Sequence, residues 1–324
     1  MKIKKIVLIL LSIALIIAMT GCDSTKKIDE NKPTVVCTGF AQYDWVLNIL
    51  GDEASEWNVI RINDKGADMH SYQPSAEDMI IIDKSDLIIY TGGMSEEWIG
   101  DAIQAQGQKG QVYVLLDNCE PLCMEEEHGH YEDEHDEDKQ DHHEHSGHSH
   151  DEYDEHVWLS LDNAIVYCQD ITKMLYDINP SEAYSNNCES YIQKLQELKD
   201  DFEKLDWENE KCEMIFADRF PFRYLAEDYG LRWYAAFPGC SAETEASFDT
   251  VKELSNKVNV SESTCVFVTE TGDDALAKTV ISNSGREDID IIEVNSMQSV
   301  PKGETRGYLE IMEDNLKALR MVLS

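Results

Sequence analysis

The chain carries ten histidines, and their placement is the first feature that could do chemistry. Eight lie between His128 and His150 inside an acidic run; the other two are His70 and His156. Imidazole is the commonest protein ligand for zinc, and imidazoles clustered among carboxylates read as metal binding. The run at 125–155 therefore reads as a segment that gathers metal ions. Residues 154–163 (DEHVWLSLDN) close it and set His156 beside Trp158 where ordinary sequence resumes. The expectation is one fixed metal site that uses His156 and His70, with the rest of the chain as the scaffold that brings the two together.

Bulk properties agree with a cationic ligand. Asp and Glu number 65 against 27 Lys and Arg, a formal charge of -38. That balance argues against nucleic acid as a partner. Lys2, Lys4 and Lys5 precede an apolar run at 6–19 that is shorter than the ~20 residues of a membrane span, so residues 1–21 read as a signal segment. It ends Met19-Thr20-Gly21-Cys22, which resembles a bacterial lipobox with Met19 in place of the usual leucine. The resemblance implies cleavage before Cys22 and lipidation of its thiol. Nine cysteines are present, without a C-x-x-C pair that would suggest a zinc ribbon. Cys37, Cys168 and Cys265 sit in apolar runs and read as core, whereas Cys119 and Cys123 flank the start of the acidic tract.

The positioning elements follow from periodicity. Residues 22–33 are polar and read as a tether. Short β-branched runs at 34–38, 57–62, 86–90 and 111–116 read as strands, with helical spacing at 41–50, 75–82 and 98–106 between them. His70 falls in a loop, and Pro74-Ser75 opens the helix after it. The tract then intervenes with almost no apolar content, too polar to pack a core. Helices are expected at 161–176 and from Ser181 to about Leu205, the latter with Tyr184, Cys188, Ile192, Leu195, Leu198, Phe202 and Leu205 on one face. A second set follows: strands at 213–217, 231–236, 264–269 and 288–294, helices at 219–229, 247–258, 273–282 and 306–323. Strands alternating with helices mean parallel sheets, so the fold class is α/β, two lobes joined by a long helix. The expected boundaries are an N-terminal lobe at 34–160 with an insertion at 125–155, linker helices at 161–210 and a C-terminal lobe at 211–324. Sites in such folds lie in loops beyond the carboxyl ends of strands, where His70, Asp218, Glu243, Glu245, Glu270 and Asn295 all fall.

With those pieces placed, nearly all of the chain after the leader resembles the zinc/manganese-type substrate-binding proteins of ABC transporters. Residues 38–47 (TGFAQYDWVL) look like that family's first strand–helix unit. His70-Ser71-Tyr72-Gln73-Pro74-Ser75 matches its H-S-Y-x-P-[ST] motif, and Glu155-His156-Val157-Trp158-Leu159 its P-H-x-W-L motif. A His- and Asp-rich insertion just upstream marks the zinc members. The resemblance implies two Rossmann-like lobes on a backbone helix, with His70 and His156 as first and second ligands. The cargo would be Zn2+, with Mn2+ also admitted. It also implies a lipid-anchored, extracytoplasmic, monomeric receptor that delivers metal to an ABC permease and is not an enzyme.

The third and fourth ligands depart from the pattern. Residues 216–231 align with the segment that supplies the third, but Arg219 stands there, and a guanidinium cannot coordinate. Asp218 is its neighbour. Residues 239–247 (GCSAETEAS) resemble the S-x-x-x-E-P-S loop and put Glu245 near the same cleft; Asn295 aligns with the fourth ligand. A carboxylate, Glu245 first and Asp218 next, is expected to complete the set, with water or the Asn295 oxygen in the fourth place. Arg219 is expected to pair with Glu243 or Glu245. Trp45, Trp158 and Trp233 read as lobe core. The rival classes are a metal-dependent hydrolase, for which no H-E-x-x-H, G-x-S-x-G or P-loop motif is present, and a metal-binding surface adhesin.

Overall fold

Alternation within short strands determines how each sheet is covered. In the computed structural model, residues 28–107, 110–122, 153–205, 213–240 and 246–323 are described. The first sheet consists of β1 (Thr34–Cys37), β2 (Asn58–Arg61), β3 (Leu87–Tyr90) and β4 (Gln111–Val114), all parallel in the order β2-β1-β3-β4. Val36, Ile60 and Ile88 point to an outer face that Ile81, Ile82 and Ile99 cover. Val35, Cys37, Leu87 and Ile89 point the other way, into the main core. A two-residue period in strands buried on both faces produces this division.

The second sheet repeats the plan with β5 (Met214–Phe220), β6 (Trp233–Pro238), β7 (Cys265–Thr269) and β8 (Asp290–Val294), parallel in the order β6-β5-β7-β8. Ile215, Ala217, Val266 and Val268 face an outer layer, and Met214, Phe216, Cys265 and Phe267 face the same main core as the first sheet. One continuous apolar cluster therefore underlies both lobes.

Among the described residues the helices are α1 (Phe40–Leu50), α2 (Ala76–Asp83), α3 (Glu97–Gln106), α4 (Leu161–Ile178), α5 (Glu182–Glu203), α6 (Arg223–Tyr229), α7 (Phe248–Val260), α8 (Asp274–Ser284) and α9 (Tyr308–Leu323). The 22-residue α5, about 33 Å long at ~1.5 Å per residue, is the long helix expected from the sequence. Its buried face is Tyr184, Cys188, Tyr191, Leu195, Leu198 and Phe202, so Tyr191 lies deeper than Ile192. One element differs. β5 runs on through Phe220, with a register shift between Phe216 and Arg219, so Arg219 belongs to a strand and the helix starts only at Arg223. Pro221 cannot continue the ladder and ends the strand.

The lobes meet along α1, α4 and α9. Trp45 is fully buried between Tyr167 and Tyr308, with ring centroids 5.7 and 5.3 Å away. Tyr308 donates its hydroxyl to Trp158 O at 2.7 Å, and its backbone N–H reaches Asp44 Oδ2 at 3.0 Å. Trp45 and Trp158 are core, as expected, and Trp233 is partly buried and stacked on Phe220 at 3.9 Å. Cys37, Cys168 and Cys265 are buried free thiols. The signal segment, residues 22–27 of the tether with Cys22, and residues 125–152 of the tract lie outside the described residues.

The Tyr308 hydroxyl supplies a testable energy. Tyr308→Phe leaves the buried Trp158 carbonyl without this donor, and the unfolding free energy in urea should fall by about 1–3 kcal/mol. An unchanged midpoint and slope would show that this contact does not hold α9 to the lobe seam.

Candidate metal centre

The loop carrying His70 is fixed by short-range polar chemistry. Tyr72 donates its hydroxyl to Asp78 Oδ2 at 2.8 Å, and Ser75 caps α2 in a reciprocal box with Asp78. Ahead of the histidine, Asp68 Oδ1 accepts from His70 N at 2.9 Å, and the turn Met69–Ser71 is a single 3-10 turn. Arg219 donates to Asp68 Oδ2 at 2.6 Å and to Thr271 Oγ1 at 3.2 Å. The arginine thus finds its ion pair on the His70 loop, across the cleft. Glu243 and Glu245, the partners expected from sequence, lie outside the described residues. Burial pushes Asp68 up, but the Arg219 guanidinium outweighs it and holds the carboxyl below the usual range.

His156 arrives by the other motif. It is completely buried, directly ahead of the turn Val157–Leu159, and Ser160 then caps α4. The Trp158 indole donates to Ser296 O at 2.8 Å and so ties this segment to the opposite lobe. Ser296 is itself held by Glu270, which accepts from its N–H at 2.8 Å and its hydroxyl at 2.9 Å. Asp154 and Glu155, expected to belong to the solvated tract, are each only 2% exposed. Both are parts of the centre. The tract's described ends are pinned together: Asp154 N donates to Leu122 O at 2.9 Å, while the Tyr224 hydroxyl accepts from Leu122 N and donates to Asp154 O.

The two imidazoles converge. His70 Nε2 and His156 Nε2 stand 3.3 Å apart. Their other nitrogens point outward to acids: His156 Nδ1 lies 2.9 Å from Asp154 Oδ1, and His70 Nδ1 lies 2.8 Å from Ser95 Oγ and 3.4 Å from Glu155 Oε2. A carboxylate on Nδ1–H fixes the tautomer with its lone pair on Nε2 and raises its basicity, the arrangement that metal-ligating histidines use. Ser95 N also donates to Glu155 Oε1 at 2.8 Å. Gly93, at φ 79°, makes room for this acid, since a Cβ there would stand 2.5 Å from Glu155 Oε1.

Electrostatics follow the same pairing. Burial opposes charge on His156, but the Asp154 carboxylate outweighs it, with Cys240 adding, and holds the imidazole protonated well above its usual range. A cation must displace that proton. Burial pushes Glu155 up, and the His70 and Ser95 contacts outweigh it, so the carboxyl titrates below its usual range.

The other expected ligands fare differently. Asp218 Oδ2 accepts from Thr269 N at 2.9 Å and Thr269 Oγ1 at 2.6 Å, and its Oδ1 accepts from Arg219 N. Its carboxylate braces the ends of β5 and β7 and is not brought to the imidazole pair. Asn295 Oδ1 accepts from Met297 N at 2.8 Å and shapes the turn there, so its oxygen too is spent locally. Glu245 lies outside the described residues.

Two residues that the sequence reading passed over stand beside the pair. One donor atom from each of His70, His156 and Cys240 lies within 4.8 Å of the others. Gln298 Oε1 is 3.2 Å from His156 Nε2. Cys240 could have been found, because it lies two residues past the end of β6, at the carboxyl edge of a sheet. Gln298 carried no signal, since a neutral amide is an unremarkable residue in a loop.

Comparison with known proteins agrees with this architecture. The family model described as zinc-uptake complex component A periplasmic, ZnuA, matches residues 35–322. The zinc-binding lipoprotein AdcA of Streptococcus pneumoniae is 30% identical over 98% of this chain, which spans 60% of that relative's length. The high-affinity zinc uptake system protein ZnuA of Bacillus subtilis is 31% identical over 94% of this chain and 93% of its own. A metal ABC transporter substrate-binding lipoprotein of Lactococcus lactis is 27% identical over 97% and 96%. Among solved structures, the metal-dependent lipoprotein YcdH of Bacillus subtilis superimposes with a TM-score of 0.71 at 25% identity, covering 90% of this chain and all of that one. The Zn(II)-bound ZnuA-like domain of Streptococcus pneumoniae AdcA, at 24% identity and a TM-score of 0.70, covers 90% of this chain and 99% of its own and shows the same fold. With the family model spanning both lobes and both histidine motifs, the chain belongs to the ZnuA family.

Proposed function

We propose that this chain is an extracytoplasmic receptor that captures Zn2+ between its two lobes and delivers it to the permease of an ABC importer. The observation that carries the reading is the His70–His156 pair. Zinc–imidazole bonds of ~2.0–2.1 Å at a tetrahedral angle put two ligand nitrogens about 3.3 Å apart. That is the separation found here, between residues 86 positions apart in sequence. The names of the relatives, zinc uptake and metal ABC transporter among them, support the cargo and the partner. Mn2+ is a second cargo that a two-imidazole site would admit less tightly.

Capture rather than turnover suits the geometry. Among the described residues, Asp154 and Glu155 are the acids set against the imidazole nitrogens, and both are committed to an imidazole Nδ1 or a backbone amide. Neither is placed as a base for water, which a metal hydrolase needs. Lipidation at Cys22 would hold a monomer at the outer membrane face. The acidic tract, rooted two residues from His156, would collect ions weakly near the cleft.

Replacing His70 or His156 by Ala should weaken Zn2+ binding by more than about 100-fold in calorimetry, beyond the 10–100-fold that loss of a ligand's supporting partner brings. Wild-type affinity in both variants would remove the site. Asp154→Asn should fall within that 10–100-fold range with stoichiometry unchanged. Replacing residues 123–152 by a short Gly-Ser link should reduce the number of weakly bound ions while keeping one tight site; disappearance of the tight site would make the tract part of it.

A further inference from the structure

We infer that Cys240 supplies a thiolate as the third protein ligand, making this a His–His–Cys centre that favours thiophilic cations over Mn2+. The inference rests on the receptor reading above and names which donor sets its selectivity. In the ZnuA-type pattern the third ligand comes from the position that Arg219 occupies, and here that side chain is turned to Asp68 and Thr271. The place beside the imidazoles goes to a thiol delivered from the next strand.

The backbone is built for this delivery. β6 ends at Pro238, and Gly239 lies directly against the centre: a Cβ there would stand 2.6 Å from Phe220 O and 3.2 Å from His156 Cε1. Only glycine lets the chain pass so close, and the next residue is Cys240. Its Sγ lies 3.9 Å from His156 Nδ1, whose proton already belongs to Asp154. All three donor atoms fall within 4.8 Å. A tetrahedral zinc with Zn–S of ~2.3 Å and Zn–N of ~2.0–2.1 Å draws sulfur and nitrogen to about 3.6 Å, so the cluster closes by about an ångström at most.

A second, independent observation marks the same point. Gln298 is 3% exposed, its Oε1 lies 3.2 Å from His156 Nε2, and its buried Nε2 has no hydrogen-bond partner. The amide oxygen is aimed at the same His156 Nε2 that faces His70, which places it within reach of a cation held there. Two imidazoles, one thiolate and one amide oxygen then make four donors, the number a zinc site takes. Charge also balances: a buried dication needs anions, and the thiolate adds to Asp154 and Glu155, which act through the imidazoles. Thiolate is a soft ligand that suits zinc, and manganese prefers oxygen, so the Zn2+ over Mn2+ preference rests on this sulfur.

The test uses the reduced mature protein loaded with Co2+, whose thiolate complexes show a near-ultraviolet charge-transfer band. Wild type should show the band at one equivalent; Cys240→Ser should lose it, and Cys119→Ser should keep it. Zn2+ affinity in Cys240→Ser should drop at least about 10–100-fold, the scale set by losing even a supporting partner, with Mn2+ affinity nearly unchanged. Tight Co2+ binding by wild type without the band would overturn the thiolate and leave the receptor reading standing, and so would Zn2+ loss in Glu245→Gln but not in Cys240→Ser. Absence of any tight metal site in wild type would overturn both. The wild-type spectrum decides the matter even if the serine variant misfolds.

Discussion

Two imidazole nitrogens facing each other at 3.3 Å, with their far sides committed to acids, are the constraint around which this protein is arranged. Lone pairs that face one another repel unless a proton or a cation lies between them. Holding them there takes structure on every side. Asp154 and Glu155 must be buried beside the rings they orient, although burying a carboxylate is costly unless hydrogen bonds satisfy it. Asp154 Oδ1 accepts from both His156 N and Nδ1, and Glu155 Oε1 accepts from Ser95 N. The loop that carries Ser95 is in turn held by Glu96, which takes the amides of Thr91 and Gly92 and is pushed up to about 7 by burial. Asp154 and Glu96 are satisfied within their own loops, and Glu155 reaches across to Ser95 of a different segment.

The departure at Arg219 is intelligible in the same terms. A permanent cation close to a site for a dication would repel the cargo unless it were neutralised. Asp68 does this, and it also accepts from His70 N with its other oxygen, so one carboxylate both cancels the arginine and sets the turn bearing a ligand. Arg219 thereby braces the loop that carries His70. Asp218, next in sequence, serves a comparable purpose inside its own lobe by joining β5 to Thr269.

What the sequence revealed and what it hid divide along physical lines. Alternating strands and helices, the Ser75 and Ser160 caps and the long apolar face of α5 were legible, because each is a local or strictly periodic signal. His70 and His156 were legible because their flanking residues have structural duties: Tyr72 and Ser75 lock onto Asp78, and Trp158 reaches Ser296. The residues around them were not. Whether a carboxylate at a strand end faces the cleft or its own neighbours depends on a bulge, and the register shift in β5 turned Asp218 to Thr269. The inner edge of the tract was misjudged for a related reason. Asp154 and Glu155 look like more of the acidic run until the fold places imidazoles beside them. Cys240 and Gln298 reach the centre only through the packing of β6 and the turn at Met297, which pattern alone does not encode.

The shared core limits how such a centre could open. Phe216 and Phe267 from one sheet, Val35 and Leu87 from the other, and Tyr167, Tyr184 and Tyr308 from the helices between them belong to one apolar cluster. Pulling the lobes apart as rigid bodies would expose several of these at about 1.5–3 kcal/mol for each large side chain. The connections at the cleft itself are of another kind. The Arg219–Asp68 pair, the Lys65–Pro301 bridge and the Trp158–Ser296 hydrogen bond are polar contacts that water can replace one at a time. The lower-cost motion is therefore in the loop bearing His70, which sits on polar anchors, while His156 and Trp158, tied into the core through Tyr308, stay in place. A fixed imidazole facing a movable one follows from where the apolar surface was spent.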